Sequence, residues 1–132
     1  MPTLFTRIIE GELPGRFVYR DERCVAFLTI EPISPGHTLV VPIEVVDHWS
    51  DLDPGLASHC FTVAQRIGRA IDEVWHPERI AVIIAGMEVP HTHVHVLGID
   101  SEAQLSFAAV DRNPDPAALD DAADRIRAAL DG

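Results

Sequence analysis

The sequence predicts an α+β fold, a mainly antiparallel five-stranded sheet with one long helix and a C-terminal helix. Three observations predict it. Short apolar runs of strand type are joined mostly by connections too brief for parallel crossovers. An apolar stripe of helical period runs from Leu56 to Val74. A final Ala-rich segment carries its acids early and its arginines late, the order a helix dipole favours. With 132 residues, the chain is the size of one domain, and residues 1–132 are read as one.

The elements follow in order. Leu4, Phe5, Ile8 and Ile9 recur at helical spacing before Gly11 and Pro14, which predicts a short opening helix. Phe17 to Arg20 and Arg23 to Thr29 read as two strands, with Asp21 and Glu22 making a tight hairpin turn between them. Glu31 to Gly36 is a loop by composition, and His37 to Val41 reads as a third strand ended by Pro42. Asp53 can cap a helix whose first residue is Pro54. Leu56, Cys60, Val63, Ile67, Ile71 and Val74 then form one stripe until His76 and Pro77 stop it. Arg79 to Ala85 is a continuous apolar run, expected to be a strand buried on both faces. After a turn at Gly86, His91 to Ile99 is a fifth strand, and Pro116 to Leu130 is the closing helix, with Leu119, Ala122 or Ala123, Ile126 and Leu130 on its inner side.

Charge narrows the possible partners. All ten basic residues are arginine, and against twenty-one acids they leave a net charge of −11. Nucleic acids and anionic membranes are bound by clustered Lys and Arg. This chain has no such cluster and no base between Arg79 and Arg112, so neither partner is expected. No apolar run is long enough for a membrane span and the N-terminus is unlike a signal peptide, which predicts a soluble cytoplasmic protein. Cys24 and Cys60 are too few for a disulfide framework and read as buried or idle thiols. His48, His59 and His76 read as surface or helix-end residues, and Trp49 as cover for a loop.

Three of the seven histidines fall at His91, His93 and His95. In a strand, alternate side chains share a face, so three imidazoles would line one side while Thr92, Val94 and Val96 point to the other. Satisfied structural histidines, a metal site and phosphoryl chemistry all remain open for such a row. Packing three imidazoles for structure alone is costly. A His-x-His pair can supply two metal ligands, but no third is visibly placed for it. Neutral imidazole is a competent nucleophile at neutral pH, and neighbouring imidazoles can orient it and donate protons.

The segment PHTHVHVLG resembles the His-φ-His-φ-His-φ-φ signature of the histidine triad (HIT) family of nucleotidyl hydrolases and transferases. The resemblance extends over nearly the whole chain, through TLFTRIIEGELP, CVAFLTIEPISPGHTLVVP and the C-terminal LSFAAVDRNPDPAALDDAADRIRAAL. It implies covalent chemistry at the α-phosphorus of a mononucleotide-sized substrate, with His93 as nucleophile and His95 donating toward the leaving group. His91 and His37 would hydrogen-bond within the cluster and orient the nucleophile. Leu4, Phe5, Ile8, Phe27, Ile30 and Leu39 would form the slot for the base, although core packing alone would also explain them. Gly86, Met87, Glu88 and Val89 would present backbone amides to the phosphate, which suits a segment without arginines. A homodimer whose two sheets join, with the main helices at the interface, is also implied.

Departures from the family pattern sharpen these expectations. Members with a structural zinc use two N-terminal cysteines, a later histidine and the first triad histidine. The matching positions here are Thr3, Thr6, Val45 and His91, so neither a structural zinc nor any other cofactor is expected. Thr29 stands where many members have an acid for the ribose hydroxyls, with Glu31 two residues on. Gly86-Met87-Glu88 replaces the usual Gly-Gln-Ser or Gly-Gln-Thr. A carboxylate there either points away from the phosphate or selects a substrate carrying an amine. The rival readings are a nucleotide-binding module of the same fold with little catalysis, and a metal-dependent binding protein.

Overall fold

The structure, a computed structural model, describes residues 2–132. Helix α1 (Leu4–Ile9) precedes strands β1 (Phe17–Arg20), β2 (Cys24–Leu28) and β3 (Thr38–Pro42). Helix α2 (Pro54–Trp75), strands β4 (Arg79–Ile83) and β5 (Val94–Ile99) and helix α3 (Pro116–Asp131) complete the fold. The five strands form one sheet in the order β1-β2-β3-β5-β4, antiparallel at every pairing. The α+β class read from the sequence is the one observed. Short 3₁₀ turns at Trp49–Asp51, Glu102–Gln104 and Phe107–Ala109 have no periodic signal and were not expected.

Local chemistry accounts for the ends of these elements. Thr3 caps α1 by accepting the Thr6 amide, and the Thr6 side chain returns the bond to the Thr3 amide. Asp53 caps α2 ahead of Pro54, and His76 closes it in the left-handed region at φ 50°. The β1–β2 turn is built on Asp21, whose Oδ1 accepts the Arg23 and Cys24 amides at 2.8 and 2.9 Å.

The period of two along the central strands separates two apolar layers. Cys24, Ala26, Leu28, Val40, Val94 and Val96 pack under α2 and α3, where they meet Leu56, Val63, Ile67, Ile71 and Ile126. On the other face Val25, Phe27, Leu39 and Val41 pack with Phe5 and Ile9 of α1. This second layer is smaller, and the histidines of β5 and its approach occupy the face beside it.

Two expectations about the strands are corrected. β4 is not buried on both faces but is the sheet edge, with Arg79 and Val82 exposed. A continuous apolar run does not reveal whether its outer side is covered by the same chain. The fifth strand begins at Val94 rather than His91. Residues ahead of it are tied instead to the loop before α2, since the Thr92 amide and hydroxyl both donate to the Val46 carbonyl at 2.7 Å. Strict alternation from His91 to His95 therefore fails at its first member.

Candidate active site

Four buried histidines converge on the face opposite α2. His93 and His95 have ring centroids 5.0 Å apart, and those of His95 and His37 are 5.2 Å apart. Leu39 pairs with His95 in the β3–β5 ladder, which brings the start of β3, and so His37, beside β5. His91 is wholly buried, with its ring centroid 5.8 Å from that of Phe5.

The hydrogen bonds assign each imidazole one neutral tautomer. The Ile33 amide donates to His37 Nδ1 at 3.0 Å, so His37 carries its proton on Nε2. That Nε2–H donates to His95 Nδ1 at 2.9 Å. His95 must then hold its proton on Nε2, toward the open side of the site. His93 Nδ1–H donates to the His91 carbonyl at 2.7 Å, which leaves the His93 Nε2 lone pair free. His91 Nε2–H donates to the Pro42 carbonyl at 2.7 Å, and His91 Nδ1 accepts the Thr3 hydroxyl at 2.7 Å. A bare ring nitrogen and a ring N–H thus lie side by side.

Burial keeps the set uncharged. It lowers His37 to about 4. Burial, followed by the neighbouring His37 and His93, lowers His95 to about 3. His91 is lowered mainly by burial, against the opposing bond to Pro42. Burial also lowers His93, opposed by its bond to the His91 carbonyl and by the Glu88 carboxylate. Glu88 is exposed, and its negative charge works against the burial that lowers His93.

The expected base slot divides in two. Phe5, Phe27 and Leu39 are buried in the second apolar layer, where the Phe5 ring meets His93 edge-on at 4.8 Å. Leu4 and Ile30 are exposed, and Ile8 is half-buried against that layer. The Thr29 hydroxyl accepts the Glu31 amide at 3.2 Å, while the Glu31 carboxylate pairs with Arg112 at 3.3 Å. Gly86 turns the chain at φ +76°, Met87 and Glu88 are exposed, and Val89 packs against the second layer. None of the hydrogen bonds among the described residues uses an amide of residues 86–89 as donor. His48 is exposed and His76 ends α2, as expected, but His59 is half-buried and bonded to Asp21.

Two participants were missed. Phe107, in the segment after β5, lays its ring 4.9 Å from that of His95. A lone aromatic in a polar tail without periodicity was its only signal. Thr3 was read as a replaced metal ligand, whereas its hydroxyl holds the His91 ring.

The HIT domain pattern matches residues 10–102. The Bacillus subtilis (strain 168) protein named "Protein hit" is 33% identical over 99 residues, covering 71% of this chain and 68% of its own length. The bis(5'-nucleosyl)-tetraphosphatase [asymmetrical] of Schizosaccharomyces pombe is 32% identical over 104 residues, which span 72% of this chain and 57% of that protein. The crystal structure of a Zn-bound histidine triad family protein from Mycobacterium smegmatis superposes with a TM-score of 0.82 at 31% identity, covering 97% of this chain and 92% of that one. With a paired His93 and His95 on an antiparallel sheet, this chain belongs to the HIT family, a fold of nucleotide-binding proteins and hydrolases.

Zinc ligation at the family's structural position does not fit these residues. Both ring nitrogens of His91 are already bonded, one to Thr3 and one to Pro42. Threonine hydroxyls are poor zinc donors beside thiolates and imidazoles, and Val45 offers none.

Proposed function

We propose that this chain is a nucleotide hydrolase or nucleotidyl transferase acting on a nucleoside 5′-phosphate derivative, either a phosphoramidate or a dinucleoside polyphosphate. The observation that carries the proposal is the complementary pair of ring nitrogens, a free lone pair on His93 Nε2 beside an N–H on His95. His93 Nε2 attacks the α-phosphorus, and the bond from phosphorus to the leaving group breaks as the P–N bond forms. The leaving group takes the Nε2 proton of His95. Water then attacks the same phosphorus and returns a proton to His95, the P–N bond breaks, and nucleoside monophosphate departs. His37 fixes the tautomer of His95, and the His91 carbonyl fixes that of His93.

The remaining residues position the substrate. Leu4, Ile8 and Ile30 receive the base against the wall of Phe5, Phe27 and Leu39, with Thr29 toward the ribose. The free amides of Gly86, Met87, Glu88 and Val89 hold phosphate oxygens in a segment without arginine. The Schizosaccharomyces pombe relative supports a dinucleoside polyphosphate as one substrate class. Nucleic acid is disfavoured by the net charge of −11, and no helix among the described residues is long and apolar enough to cross a membrane. The functional unit is a cytoplasmic homodimer of one-domain chains joined through α2 and β4.

Mass spectrometry of a quenched reaction tests the mechanism. Wild type should carry a nucleotide adduct on His93, and His93→Ala should keep its fold and nucleotide binding while losing turnover. Undiminished turnover in a folded His93→Ala variant overturns the assignment. A second reading, a nucleotide-binding module with little catalysis, is favoured by the Glu88 carboxylate in the phosphate segment. It predicts binding without adduct in the same experiment.

A further inference from the structure

On the face of the sheet opposite the histidine row, the β1–β2 turn meets α2 in a cluster of polar side chains that the nucleotide chemistry does not use. Asp21 belongs to the turn, Cys24 opens β2, and His59 lies on α2. One donor atom from each, a carboxylate oxygen, a thiol sulfur and a ring nitrogen, lies within 4.8 Å of the other two. We propose that Asp21, Cys24 and His59 bind one borderline-soft divalent cation of the zinc class and so clamp the hairpin to α2.

The donor set suits such an ion. Zinc takes Cys, His and carboxylate ligands at about 2.0 to 2.3 Å, so tetrahedral ligands stand roughly 3.3 to 3.8 Å apart. Binding would open the 2.6 Å contact between His59 Nε2 and Asp21 Oδ2 to that spacing and draw the donors, now within 4.8 Å of one another, around the ion. Tyr19, His59 and the Arg23 and Cys24 amides all direct hydrogen bonds at Asp21, the acceptor role a ligating carboxylate needs. His59 Nε2–H donates to Asp21 Oδ2 at 2.6 Å, and the ion would replace that proton. On binding, the His59 proton moves to Nδ1 through solvent and the Cys24 thiol proton is released.

The surroundings already hold these ligands in place. Tyr19 donates its hydroxyl to Asp21 Oδ2 at 2.6 Å, and the backbone amides fix Oδ1. Cys60, the residue after His59 on α2, is a second buried free thiol that contributes to the same core layer as Cys24. The Asp21 and His59 side chains are 25% and 29% exposed, which gives an ion and a completing water access from solvent, while Cys24 is buried. The sheet separates this cluster from the nucleotide site, so His59→Ala should leave turnover unchanged.

Cobalt(II) titration of chelator-treated protein provides the test, because a thiolate ligand gives a sulfur-to-cobalt charge-transfer band that histidines alone cannot produce. One equivalent of Co²⁺ should produce the band and Zn²⁺ should abolish it. His59→Ala should weaken Co²⁺ binding about tenfold or more. His93→Ala should leave the band intact, and Zn²⁺ should raise the melting temperature of wild type but not of His59→Ala. Cys24→Ser should also lose the band, with His59→Ala serving alone if the buried Cys24 position does not tolerate serine. A wild type without the band, an unchanged Co²⁺ affinity in His59→Ala, or metal uptake lost only in His93→Ala overturns the site.

Discussion

His37 Nε2 lies 2.9 Å from His95 Nδ1, and the direction of that bond is set on the far side of the His37 ring by the Ile33 amide. The backbone of the loop before β3 thereby determines which nitrogen of His95 carries the proton. His37→Ala removes the donor and frees His95 to adopt the tautomer without an outward N–H. Turnover should fall on the order of 100-fold, the usual worth of one positioned acid, with a smaller change in KM. His37→Gln, whose amide can still donate, should recover part of kcat. Steady-state kinetics on the three proteins checks this.

Acid should destabilise the fold earlier than its carboxylates alone would predict. His37 and His95 titrate at about 4 and about 3 in the folded chain, because burial and, for His95, the neighbouring imidazoles oppose protonation. Once unfolded they take up protons near pH 6.5. Stability is therefore complete above about pH 6.5 and declines as pH falls from there toward the folded values. For His37 alone the decline amounts to about 3 kcal/mol. Urea unfolding between about pH 7.5 and pH 5 should show this slope, and His37→Gln should reduce it.

Thr3 supports the site from the first turn of the chain. Its hydroxyl donates to His91 Nδ1 and its oxygen also caps α1, while the His91 carbonyl holds the His93 Nδ1–H. Thr3→Val should destabilise the protein by about 2 kcal/mol, combining a lost cap with an unsatisfied buried imidazole nitrogen. Thr3→Ser keeps both bonds and should recover most of that loss. Denaturant unfolding of the pair separates hydroxyl from shape.

The sequence carried the elements better than it carried the support of the site. Asp53-Pro54 and the stripe from Leu56 located α2 because capping and periodicity are local properties. The histidines were visible because they are close in the chain, and the resemblance assigned them chemistry. Thr3 and His91 meet across 88 positions, and Phe107 reaches His95 through a segment without pattern. Neither contact has a local signal. The edge position of β4 was hidden for a related reason, since Val82 is as apolar as a core residue and is left exposed only by the sheet order.

Glu88 should act on substrate choice rather than on folding. It is exposed, and its field reaches His93. A carboxylate there opposes an incoming phosphate and favours a leaving group that carries a protonated amine. Glu88→Gln should lower KM for nucleotides with neutral leaving groups by about two- to fivefold and raise it for amine-bearing ones, as expected for a solvent-screened charge. Equal responses to the two substrate sets would remove Glu88 from specificity.

The proposed dimer makes its own prediction at the sheet edge. β4 ends the sheet with one row of backbone groups unpaired, and α2 runs beside it, leaving an apolar trough lined by Phe61, Ala64, Gly68, Ile80 and Val82. Phe61 and Val82 remain 42% and 46% exposed in the single chain, whereas the α3 side of α2 is covered. A second copy brought up through the same surface would pair the two β4 edges and cover both troughs at once, which is the self-complementarity a twofold interface needs. Val82→Arg places a charge in that contact without disturbing the interior. It should weaken dimerisation at least about thirtyfold, equivalent to losing a central contact of about 2 kcal/mol. Sedimentation velocity over a concentration series measures it, and a wild-type chain that stays monomeric throughout would overturn the dimer.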